Sequence, residues 1–173
     1  SRSTVATMTE LADVLRLLFA RLGTVLCPNC GETILPDHAG RATELIQGRL
    51  DAGEGPIVVA APLPAAGDGR EADARLRSLL KEGYVRVLVG GEVIRLDSEG
   101  EELDRVRTAL QEERPVPDQA ALVVDRLTAS MSRSRIREAV ENAYREGHGR
   151  MLLHDAEGGL NVHTEGYTCS NCF

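Results

Sequence analysis

The sequence predicts an α+β fold, with a mixed, mostly antiparallel sheet, packed helices and a small cysteine-bearing subdomain joining the two termini. Three observations carry that expectation. Helix-period and strand-period segments are interleaved without strict alternation, which argues against a parallel βαβ array. Residues 84–96 read as a β-hairpin around Gly90-Gly91, a local antiparallel device. The four cysteines form two Cys-x-x-Cys pairs, Cys27-Pro28-Asn29-Cys30 and Cys169-Ser170-Asn171-Cys172, one near each end of the chain.

Taken in order, Thr9 to Arg21 is an expected amphipathic helix. Leu11, Val14, Leu15, Leu18 and Leu22 share a face, Thr9 is a fair N-cap and Gly23 a stop. The first cysteine pair follows at once. Pro36 and Asp37 lead into a helix over about 39–49, with Leu45 and Ile46 facing inward, and Gly53 and Gly55 form a loop. The apolar run 56–63, centred on Ile57-Val58-Val59-Ala60-Ala61, reads as a buried strand by its length and β-branching. After a flexible loop at 64–69, Glu71 to Glu82 is a short helix facing inward through Leu76, Leu79 and Leu80. In the hairpin Val85, Val87 and Val89 alternate, and Val93 lies on the return strand. Residues 97–119 are acidic and contain Pro115 and Pro117, so a linker or partly helical excursion is expected. A strand over Ala121–Leu127 precedes a helix from Arg133 to Glu146, capped by Ser132, with Ile136, Val140, Ala143 and Tyr144 on one face. Met151 to His154 is another strand, and Gly158-Gly159 turns into 160–168, which delivers the second cysteine pair.

The chain has 173 residues, 42% hydrophobic but only 3% aromatic and without Trp, so the core must be aliphatic. Its net charge of -7 argues against a non-specific nucleic-acid binder, although a local basic face stays open. Lys81 is the lone lysine. No apolar run approaches the roughly 18 residues of a membrane span, so no membrane partner is expected. The polar start and the charges Asp13, Arg16 and Arg21 within the first helix do not fit a secretory signal. A cytoplasmic, reducing setting follows, in which paired cysteines favour a metal over disulfides. The chain starts without Met and stops one residue past a cysteine, which reads as a piece of a longer protein.

A two-residue gap lets both sulfurs of a pair face one tetrahedral ion, so Cys27, Cys30, Cys169 and Cys172 are the expected zinc ligands. Four thiolates leave no open position, so the site is structural. A redox Cys-x-x-Cys normally opens a helix, but Cys30 precedes Gly31 and Cys172 precedes the final Phe173. His38, His148, His154 and His163 are read as surface residues, with His38 and His163 near enough in sequence to assist or replace a thiolate. No phosphate-binding loop, nucleophile elbow or His-Glu-x-x-His is present, so no catalytic residue is expected in this stretch. Glu99, Glu101, Glu102 and Asp104 read as a solvated run. Arg133, Arg135 and Arg137 at a helix start are either a solvated face or a contact for phosphate or DNA.

Three stretches together resemble one family. They are Ser1-Arg2-Ser3-Thr4-Val5 through Leu15-Arg16-Leu17-Leu18-Phe19-Ala20-Arg21-Leu22-Gly23 to Cys27-Pro28; Glu82-Gly83-Tyr84-Val85-Arg86-Val87 with Gly91-Glu92-Val93; and Val123-Val124-Asp125-Arg126-Leu127 with the closing Tyr167-Thr168-Cys169. In order and spacing the chain is similar to the UvrA family, the damage-recognition component of excinuclease ABC. That resemblance implies part of a first signature domain with zinc knuckles at 1–35 and 164–173, and an inserted UvrB-binding domain at 36–163. It implies a parent that is a homodimeric ABC-type ATPase, binds ATP elsewhere, senses damaged DNA and loads the helicase UvrB in bacterial nucleotide excision repair. Arg70 and Arg86 are then the candidate partner contacts. The chain departs from the family at Gly67-Asp68-Gly69-Arg70-Glu71, where a basic loop is usual and Asp68 reverses a charge, and at Leu88, where a second hairpin arginine is usual. The family also carries a further cysteine pair downstream, with which Cys169 and Cys172 could pair instead. Two alternatives stay open: a DNA-contacting zinc module, and the equivalent domain of a divergent UvrA-like paralogue with another partner.

Overall fold

In the computed structural model, which describes residues 11–34, 37–112, 118–155, 157–167 and 169, the chain divides into two units, 1–35 with 167–173, and 36–166. The first contains helix α1 (Leu11–Leu22) and strands β1 (Val25–Leu26) and β2 (Thr33–Ile34), paired antiparallel as Val25 with Ile34 and Leu26 with Thr33. The α1 apolar face is formed as expected, but none of its residues is buried. Thr9 lies outside the described residues, as do 113–117 with both prolines of the expected linker.

The larger unit runs α2 (Ala39–Asp51), β3 (Ile57–Pro62), α3 (Gly69–Lys81), β4 (Arg86–Val89), β5 (Glu92–Arg95), α4 (Glu101–Gln111), β6 (Ala121–Leu127), α5 (Arg133–Glu146), β7 (Arg150–His154) and β8 (Leu160–Thr164). Its six strands are ordered β5-β4-β6-β3-β7-β8, and every neighbouring pair is antiparallel. β3 is central and all six of its residues are buried, which explains why it reads as an unbroken apolar run. Gly90 and Gly91 sit at φ 59 and 82 in the β4–β5 turn, the paired left-handed conformations a two-residue hairpin demands.

Strand alternation divides the core between the two faces of the sheet. On one face α3 and α4 pack through Ala72, Leu76, Leu79, Val106 and Leu110 on Val87, Ile94 and Leu122. Beside them α2 and α5 pack through Ile46, Leu50, Ile136 and Val140 on Val59, Leu127 and Leu153. The opposite face carries Val58, Ala60, Leu88, Ala121, Val123 and Leu152, a cluster built from strand residues alone. Leu88 is nevertheless only 2% exposed. The sheet achieves this by curling. A Cβ added at Gly91 would lie 3.5 Å from the His154 ring, although β7 stands three strands from β4, about 14 Å across a flat sheet. The open face is therefore a trough.

Of the two readings open for 97–119, the partly helical one holds over 101–111, where helix α4 buries Val106, Ala109 and Leu110. Its first turn holds Glu101, Glu102 and Asp104, so those carboxylates lie where the helix dipole favours them. Leu45 and Leu80 were expected to face inward, yet they are 43% and 39% exposed. Each stands beside a residue that takes the inward position, Ile46 or Leu79, and a helix turns about 100° per residue. The solvated reading of all four histidines fails at His163, which is 16% exposed and bonded to Asp37.

Candidate metal centre and open sheet face

The first cysteine pair is carried by the β1–β2 hairpin. Cys27 N–H donates to the Glu32 carbonyl at 2.8 Å and Gly31 N–H to the Cys27 carbonyl at 2.9 Å, with Gly31 at φ 75. This tight turn brings Cys27 and Cys30 together with Cys169, and the three sulfurs lie within 4.8 Å of one another. Cys30 Sγ and Cys169 Sγ are 3.6 Å apart. That is well beyond the ~2.05 Å of a disulfide, and close to the about 3.8 Å between sulfurs on a tetrahedral ion with 2.3 Å bonds. Cys27 and Cys169 are buried with Ile34, and Cys30 faces outward. Three thiols drawn from both ends of the sequence could thus hold one metal ion, and soft sulfur donors suit zinc. Cys172 lies outside the described residues.

Neither histidine weighed as a substitute ligand joins this group. His38 caps α2, its Nδ1 accepting from Arg41 N–H at 3.2 Å. His163 Nδ1 lies 3.2 Å from Asp37 Oδ2, and the Tyr144 hydroxyl donates to the same oxygen at 3.4 Å. Asp37 also exchanges two backbone bonds with Gly166, so the Asp37–Tyr144–His163 group closes the larger unit where its two ends meet. Burial, and then the Asp37 carboxylate, push the Tyr144 phenol well above its ordinary value.

The structure does not bring the two candidate contact arginines together. Arg70 lies in the first turn of α3, on the helix-covered side, whereas Arg86 lies on the open face opposite Arg95. Asp68, whose charge departs from the family pattern, is the α3 N-cap: its Oδ1 accepts from Arg70 N–H at 2.8 Å and Glu71 N–H at 2.9 Å. Glu71 in turn accepts from Gly67 N–H at 2.7 Å. The sequence reading missed this role, though Asp-x-x-Glu at a helix start signals it. Leu88 is core.

The arginines at the start of α5 all meet carboxylates. Arg133 pairs with Glu44 at 2.8 Å, Arg135 with Asp125 at 2.8 Å and Glu138 at 3.4 Å, and Arg137 with Glu141 at 2.7 Å. These are largely solvent-exposed pairs, with only Asp125 well covered, at 18% exposure.

The open face also holds a cavity of about 520 Å3, lined by Pro56, Val58, Arg86, Val93, Val123, Arg126, His154 and Asp155. Asp155 is held by Arg49 at 2.8 Å and by the Gly159 and Glu157 amides. The guanidinium keeps its carboxyl below the usual range. Sequence reading did not find this cavity, because the sheet's curl assembles it from five strands and their flanks. No helix among the described residues is long and apolar enough to cross a membrane.

Comparison with known proteins places this architecture. The family described as the UvrA interaction domain matches residues 42–157, most of the larger unit. UvrABC system protein A of Deinococcus radiodurans is 40% identical over 172 residues, covering 96% of this chain and 16% of that protein. The protein of the same name from Thermus thermophilus is 36% identical over 172 residues, covering 97% and 17%. That from Helicobacter pylori strain J99 is 35% identical over 177 residues, covering 99% and 17%. The chain thus spans about one sixth of the length of these relatives. With five of the six strands of the larger unit inside the matched residues, the chain belongs to the UvrA interaction domain family.

Proposed function

We propose that this chain is the non-catalytic partner-docking part of a UvrA-like DNA damage-recognition ATPase in bacterial nucleotide excision repair, and that its partner is UvrB. The observation that carries the reading is the family match over 42–157, which falls on the curled sheet and its helices. In this reading 36–163 form the docking domain, and 1–35 with 164–173 belong to the parent's signature domain. ATP binding, damaged DNA, dimerisation and cytoplasmic location belong to the parent.

UvrB docks through the exposed face that includes the β4–β5 hairpin, where Arg86 is exposed and meets Asp97 only through space. Arg70 contributes only if the partner also reaches the far side of the sheet. The metal is zinc, held by Cys27, Cys30, Cys169 and Cys172. It supplies no chemistry beyond cross-linking the first unit, and the thiolates supply the charge that retains it. Titration of UvrB into the chain, followed by calorimetry, tests the docking. We expect Arg86→Glu to weaken binding about tenfold or more. Unchanged affinity removes the hairpin from the interface, and no binding by the wild-type chain removes UvrB.

A further inference from the structure

We propose that the trough on the open sheet face is a binding site for an acidic peptide segment bearing an aliphatic side chain, presented by a protein partner. The Arg86 and Arg126 guanidinium groups receive its carboxylates, and Val58, Val93 and Val123 receive its apolar side chain. The proposal rests on the docking reading above and supplies its chemistry, adding Arg126 as a second cation.

Charge is the first argument. The chain is acidic, with 27 carboxylate residues against 20 basic ones, and every arginine on α4 and α5 is held by a carboxylate. Arg86 and Arg126 line one cavity, yet neither side chain forms an ion pair among the described residues. The one acid on the cavity wall is already engaged. Asp155 spends one oxygen on Arg49 and the other on the Gly159 and Glu157 amides. Arg86 feels the Asp97 carboxylate only through space, and among the described residues neither guanidinium is in a salt bridge, so both keep donors for an anion from outside; a guanidinium binds a carboxylate through two parallel hydrogen bonds.

The floor is the second argument. Val58 and Val123 are 8% and 9% exposed, while Val93 at the rim is 39% exposed. A cavity of about 520 Å3 lies within the about 300–1,000 Å3 usual for ligand clefts. Nucleic acid would use the cations and leave this apolar floor unsatisfied, so a protein segment that combines carboxylate with aliphatic surface fits better. The hairpin turn, which reaches His154 across the trough, walls in one end.

Two titrations test the site. In the first, UvrB is titrated into the wild-type chain, Arg126→Glu, Arg126→Lys, and a control, Arg77→Glu, on the exposed surface of α3. We expect Arg126→Glu to weaken binding at least tenfold, Arg126→Lys to weaken it less, and Arg77→Glu to stay within twofold. If Arg126→Glu also stays within twofold while Arg86→Glu weakens binding, the trough is overturned and the docking reading stands. In the second, the pentapeptide acetyl-Leu-Glu-Asp-Leu-Glu-amide is titrated into 15N-labelled chain. We expect saturable shifts of the Val93, Val123 and His154 amides that vanish in Arg126→Glu. This arm decides the proposal even if UvrB does not bind. Absence of those shifts, or their production by duplex DNA and not by the peptide, overturns it. Arg126 is exposed, so its replacement leaves the fold intact, and the dispersion of the same amide spectrum verifies this.

Discussion

Replacing Tyr144 by Phe separates two effects that the Asp37–Tyr144–His163 group combines. The ring is 3% exposed and packs with Ile136, Val140 and Met151, and Phe preserves that volume. What is lost is a 3.4 Å hydrogen bond to Asp37. It is long, and Asp37 keeps its contact with His163 at 3.2 Å. We therefore expect a loss of about 1 kcal/mol at pH 7. The second effect appears only in base. Burial and Asp37 raise the folded-state phenol above its unfolded value of about 10. Below that value both states hold the proton and pH has no leverage. Above it the unfolded chain loses its proton first, so stability falls as pH rises. Between pH 10 and 11 that loss is about 1 kcal/mol from this one group. Tyr84 is raised by burial as well and slopes the same way, so the informative quantity is the difference between wild type and Tyr144→Phe. Urea unfolding at pH 7, 10 and 11 measures it. We expect the Phe variant to be less stable at pH 7 and to lose about 1 kcal/mol less on going from pH 10 to 11. Parallel losses in both proteins would refute the buried, carboxylate-facing phenol.

Two further predictions concern residues whose roles the structure reassigns. Asp68→Ala removes the acceptor of two α3 amides, so urea unfolding should show a loss of about 1 kcal/mol while UvrB affinity is retained; weakened binding at full stability would make Asp68 a contact. Leu110→Ala, at a position 1% exposed, should cost about 2–5 kcal/mol by the same measurement, and a change below about 0.5 kcal/mol would return 97–119 to the status of a linker.

Elements with strong local signals were legible in the sequence. Gly90-Gly91 between alternating valines specified the hairpin, Ser132 before Ile136, Val140, Ala143 and Tyr144 specified α5, and the unbroken Ile57–Ala61 run marked the central strand. Helix α4 was obscured because its acidic first turn and the later prolines outweighed the Val106, Ala109, Leu110 stripe. A two-residue ladder such as β1–β2 is too short to carry a period. At the candidate sites, Cys-x-x-Cys spacing announced the thiols, because ligand geometry is local within each pair. The carboxylates that meet Arg133 and Arg135 come in part from Glu44 and Asp125, elsewhere in the chain. The trough depends on the sheet's curl, which sets β4 and β5 against the end of β7. Such long-range geometry leaves no mark on local pattern.

The most direct test of the thiol centre is the zinc content of the purified chain after dialysis against a mild chelator, for wild type, Cys30→Ser and Cys169→Ser. Cys30 and Cys169 are 139 positions apart in sequence and 3.6 Å apart at sulfur. If one ion unites them, wild type retains about one zinc per chain and each single replacement loses it. Zinc retained at that level after either replacement would mean that the two pairs do not share an ion.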